Sequence, residues 1–163
     1  MSFDESFRED RPDQRTRRPW WLLLLPLCFL LHIGEELWAG EGFAAWTGRL
    51  FSSPITAARY ATISSIGWTL FACLTLVAIL QARSAWLAAM LSTMLLVNAG
   101  LHALGTIATF AYSPGLATSI VLYPPVCLPA LRYSRNASST GTFGVAVGAG
   151  VVVHALVLIA AFG

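Results

Sequence analysis

The chain has 163 residues, of which 56% are hydrophobic and only 11% charged, with a formal net charge of +2. A soluble domain of this size is about 25% charged, so the composition excludes a soluble globular protein, and no nucleic-acid partner is expected. The 48 residues from Ser84 to Leu131 contain no Asp, Glu, Lys or Arg, which is room for two spans at about 20 residues each. The fold class is therefore all-α, a polytopic transmembrane helical bundle.

In chain order, residues 1–19 (MSFDESFREDRPDQRTRRP) are mixed in charge, contain proline and are almost free of apolar side chains. They read as a short disordered cytoplasmic tail, with residues 20–163 as the transmembrane domain. Trp20 and Trp21 mark a membrane interface, and span one runs over 20–38. Arg17-Arg18 followed by WLLLLPLCFLL also has the outline of a cleaved signal peptide. Two glutamates stand just before the small-residue stretch where cleavage would fall, and Leu27 spoils LPLC as a lipobox, so the segment is expected to be retained.

A connector from Gly40 to Ala57 follows. Phe43, Trp46, Leu50 and Phe51 fall at i, i+3, i+7 and i+8, the spacing of a short interfacial helix. Ser53-Pro54 has the form of an N-cap with proline in the first helical position. Span two covers 57–81 and span three 85–111. The YSPG at Tyr112–Gly115 is a turn, span four covers 116–131, RYSRNASSTGT is a polar loop, and span five covers 143–162. With five spans and the N-terminus inside, Arg15, Arg17, Arg18, Arg83, Arg132 and Arg135 lie on the inner side, and Arg49 and Arg59 on the outer. That bias places the tail in the cytoplasm and Gly163 outside, as in an integral protein of a bacterial inner membrane. Cys28, Cys73 and Cys127 are scattered singly in apolar segments and read as small buried hydrophobes.

The three histidines of the chain are His32, His102 and His154. At 1.5 Å rise per residue they lie about 18, 25 and 17 Å along spans one, three and five, so all three fall in the outer half of the bilayer. His32, Glu35 and Glu36 stand at i, i+3 and i+4 on one helix face, as do Asn98 and His102 at i, i+4. Span two offers Ser64 and Ser65 at a similar level. Span four offers Tyr123, followed by Pro124 and Pro125, which are expected to break the helical ladder and free carbonyls. An ionised carboxylate in lipid costs at least about 2.5–3.5 kcal/mol, so these groups are expected to face the bundle interior and form a site.

His32-Ile33-Gly34-Glu35-Glu36, Asn98-Ala99-Gly100-Leu101-His102 and Tyr112-Ser113-Pro114-Gly115 resemble, in order, the HxxEE, NxxxH and YxPG motifs of the HXXEE family of membrane proteins. The resemblance implies motif roles for His32, Glu35, Glu36, Asn98, His102, Tyr112, Pro114 and Gly115, and no particular reaction. His154 lies outside the three motifs.

Three neutral imidazoles and a carboxylate suit zinc or iron. The leading expectation is a metal-dependent hydrolase acting on a lipid or other apolar substrate. His32, His102 and His154 are its candidate ligands, with Glu35 as fourth ligand or general base, and Glu36 and Asn98 beside them in catalysis. The alternatives are a metal-free acid–base isomerase or cyclase, a small proton or cation transporter working as a homo-oligomer, and a non-catalytic accessory protein.

Overall fold

A computed structural model describes residues 18–51 and 55–162. Residues 1–17 of the N-terminal tail and the Ser53-Pro54 helix start fall outside the described residues. Among the described residues all regular structure is helical. A 3-10 turn, Trp20–Leu23, runs into α1 (Leu24–Trp38). The short helix α2 (Phe43–Phe51) follows the spacing of Phe43, Trp46 and Leu50. Next come α3 (Ala57–Leu80), α4 (Trp86–Thr109), α5 (Leu116–Ala137) and α6 (Thr140–Phe162).

Among the described residues, four segments are long and apolar enough to cross a membrane: Trp20–Trp38, Ala57–Leu80, Trp86–Thr109 and Thr140–Phe162. The chain is thus an integral membrane protein. The fifth long helix, α5, is less apolar because it carries Pro124, Pro125, Pro129, Arg132 and Arg135.

Two boundaries differ from expectation. α5 does not stop at Leu131 but continues to Ala137, and α6 begins at Thr140 rather than Phe143. Polar side chains do not oppose helix at a wet end, so hydropathy ends before the helix does. Ser139 caps the restart, its Oγ accepting from Thr142 N at 3.2 Å. The successive prolines also leave α5 continuous. They remove donors to the carbonyls four residues earlier without ending the rod, a tolerance that membrane helices show where neighbours support them. Thr56 caps α3, accepting from Arg59 N through its side chain.

α4 is the central helix, flanked by α5 and α6. Its packing against α6 needs Gly150, where a Cβ would come within 2.5 Å of the Met90 carbonyl. Small residues that let membrane helices approach are the usual device. α1 lies against α3 and α5, and Trp68 Nε1 donates to the Pro26 carbonyl at 2.8 Å across the α1–α3 seam. Arg59 at the start of α3 donates to the Ala160 carbonyl near the end of α6. The start of α3 and the end of α6 therefore meet at one end of the bundle.

Candidate functional site

His32 and Glu36 leave α1 one turn apart and point into the bundle, where His32 is completely buried and Glu36 is 5% exposed. α4 brings His102, equally buried, with its ring edge-on to that of His32 at a centroid distance of 4.9 Å. His102 Nε2 is 3.2 Å from Glu36 Oε1, and His32 Nε2 is 3.5 Å from Glu36 Oε2. One ligand atom from each of the three residues lies within 4.8 Å of the other two, so this group can hold a metal ion. Four ligands at about 2.0–2.1 Å from a tetrahedral ion stand about 3.3–3.4 Å from one another. The two imidazole–carboxylate separations are close to that length, though they end on different oxygens of Glu36.

Each ring is aimed by its other nitrogen. His32 Nδ1 meets Thr118 Oγ1 at 3.0 Å, and His102 Nδ1 meets Ser113 Oγ at 2.9 Å. Both Nε2 atoms are thereby turned toward the carboxylate, the arrangement that metal-binding histidines share. His32 Nε2 is buried and has no hydrogen-bond partner among the described residues. Glu36 Oε2 stands 3.5 Å from it, a contact too long and indirect to count as a full hydrogen bond. Tyr60, on α3, donates its hydroxyl to Glu36 Oε2.

The YSPG turn closes the cluster on one side. Gly115 has φ +99°, a conformation that glycine alone adopts readily. A Cβ there would stand 2.6 Å from His32 Cε1, 2.8 Å from His102 Cε1 and 2.9 Å from Glu36 Cγ.

Glu35, expected as a ligand or base, points elsewhere. Its Oε1 accepts from the Gly115 and Ala117 amides at 3.2 and 3.0 Å and from the Tyr112 hydroxyl. Its Oε2 accepts from the Thr118 amide at 2.7 Å. A carboxylate there satisfies donors that the first turn of α5 cannot pair internally and complements the helix dipole. In the three-residue group the carboxylate is Glu36 and not Glu35. Tyr112 lies in the loop, and burial, then the hydrogen bond to Glu35 and its charge, hold its hydroxyl above the usual tyrosine range.

His154 and Asn98 are not members of the three-residue group. Together with His102 they line an adjacent cavity of 840 Å³ between α2, α4 and α6. His154 Nε2 and Asn98 Oδ1 are both buried without a hydrogen-bond partner among the described residues. A second cavity, of 500 Å³, reaches Glu36 and Tyr60 from the side of Glu41 and Arg49, which form an ion pair. Phe43 lines both cavities, with its ring 5.6 Å from His102 and 5.4 Å from Tyr60.

Sequence reasoning missed Tyr60, Ser113 and Thr118. From α3 the sequence pointed to Ser64 and Ser65, yet Ser65 is exposed and it is Tyr60, one turn earlier, that reaches the cluster. Ser113 stands at the variable position of the YxPG pattern and Thr118 follows it closely. A family model described as "Protein of unknown function with HXXEE motif" matches residues 23–130, more than half of the chain. The chain belongs to the HXXEE family. The matched segment contains all three motifs, and the structure shows them joined: HxxEE supplies His32 and Glu36, NxxxH supplies His102, and YxPG supplies the glycine packed against them. His154 falls outside the matched segment. No curated protein and no solved structure matches the chain.

Proposed function

We propose that His32, Glu36 and His102 form a metal centre, and that this HXXEE protein is a metal-dependent hydrolase acting on an apolar substrate within the membrane. The observation that carries the reading is the convergence of two hydroxyl-anchored imidazoles on one buried carboxylate. Two histidines and one glutamate, with a position left open, is a recurrent ligand set of catalytic zinc, and iron is the alternative ion. A bound zinc supplies a water acidic enough to lose its proton near neutral pH. Thr118 and Ser113 hold the imidazoles in register, and the Tyr60 hydroxyl holds Glu36. Glu35 serves as a positioning residue that fixes the YSPG turn against the cluster. The cavity beside Glu41 and Arg49 admits water, and the one between α2, α4 and α6 admits the substrate.

The buried Tyr60–Glu36 hydrogen bond favours a second reading, a metal-free acid–base isomerase. Metal analysis of the protein purified in mild detergent separates the two. The expected result is about one zinc or iron per wild-type chain, and none in Glu36→Gln or His102→Ala. A metal-free wild-type protein that still turns over an apolar substrate would install the second reading.

A further inference from the structure

The 840 Å³ cavity has a chemistry that narrows the substrate. It falls within the range that encloses a drug-sized molecule. None of its lining residues is Asp, Glu, Lys or Arg, and most are apolar. Asn98 and Thr109 both line it, eleven residues apart on α4, so it follows that helix for about 16 Å at helical rise. Among the described residues its lining holds three buried polar atoms without a hydrogen-bond partner, Asn98 Oδ1 and His154 Nε2, beside His102, and Trp46 Nε1 on α2. His154 is 8% exposed, so an unsatisfied ring nitrogen is held out of water in an apolar cavity. Such an atom costs free energy unless a ligand supplies its hydrogen bond. The other cavity at the cluster differs, since Glu36, Glu41 and Arg49 all line it.

We infer that the cavity binds an uncharged, largely hydrocarbon molecule with one small oxygen function, a long-chain or terpenoid alcohol or its ester. The oxygen function lies between Asn98 and His154, within reach of the cluster, where the unpartnered Trp46 N–H of the same cavity is a further donor for it, and the hydrocarbon extends along α4 past Leu104. A phospholipid does not fit, because no cation lines the cavity to meet its phosphate. The inference deepens the hydrolase reading by naming the substrate class, but the binding it describes needs no metal.

The probe is a long-chain primary alcohol bearing a diazirine, photo-crosslinked to the full-length protein in detergent and mapped by peptide mass spectrometry. A phospholipid with a diazirine on its acyl chain serves as comparison. The alcohol is expected to label α2, α4 and α6 around Trp46, Leu104 and Leu158. Excess unlabelled alcohol should displace it, and unlabelled phospholipid should not. Ala108→Trp fills the cavity from an exposed position and should abolish the labelling. Asn98→Leu removes one hydrogen bond and should weaken binding by about fivefold. Thermal melting of each variant checks that it is folded. Glu36→Gln does not line this cavity and should lose metal while keeping the label, which separates failure of the metal reading from failure of this one. Labelling that unlabelled phospholipid displaces equally well, or that persists in folded Ala108→Trp, overturns the proposal.

Discussion

Glu35 and Glu36 leave α1 about 100° apart around its axis, and each side chain meets a different element. Glu36 turns to His32, His102 and Tyr60, and Glu35 turns to the amides that open α5. The proposed roles predict opposite responses to the same change. Glu36→Gln should lose bound metal altogether. Glu35→Gln, which keeps an oxygen for the α5 amides, should stay within about tenfold of wild-type metal affinity, a shift at the mild end for an indirect partner. Ser113→Ala and Thr118→Ala remove the anchors of the two imidazoles and should each weaken metal binding by about 10–100-fold. Titration with zinc in a competing chelator measures all four variants on one scale.

At the scale of elements, the junction between α1 and α5 is held by Glu35, Tyr112 and the Gly115 turn. Tyr112→Phe and Glu35→Gln should therefore not be additive. A double-mutant cycle on unfolding in detergent should give a coupling of about 0.5–3 kcal/mol, the range for residues in direct contact. Additive losses would mean that Glu35 holds the α5 amides without help from Tyr112. The α4–α6 seam makes a different demand. Gly150→Leu would drive a side chain into the Met90 carbonyl and Thr93. The expected cost is about 1–3 kcal/mol from overpacking, read as a lower melting temperature, with zinc affinity less affected than in Ser113→Ala because Gly150 does not touch the cluster.

At the scale of the whole molecule, the arginine distribution proposes five spans with the segment before Trp20 in the cytoplasm. A reporter inserted between Ala137 and Thr140 should be active on the cytoplasmic side, and one fused after Gly163 on the outer side. The reverse pair of activities would invert the topology and move the cluster to the inner leaflet. Much of this architecture was legible in the sequence. The uncharged runs dictate membrane helices because lipid admits no unpaired backbone. Helical spacing puts His32 with Glu36, and Asn98 with His102, on shared faces. The spacing also put Glu35 on that face, since i+3 and i+4 both fall within one broad stripe. Only the packed bundle decided between the two carboxylates, because the choice depends on where the α5 amides and the α4 imidazole lie around α1. Tyr60, Ser113 and Thr118 entered for the same reason. A hydroxyl in an apolar helix or a turn has no period and no charge to announce it, and only the approach of another helix gives it a partner. The sequence by itself determined which polar groups had to leave the lipid, through the cost of burying them there. The tertiary structure decided which of them met, because rotation of each helix about its axis is set by packing and not by hydropathy.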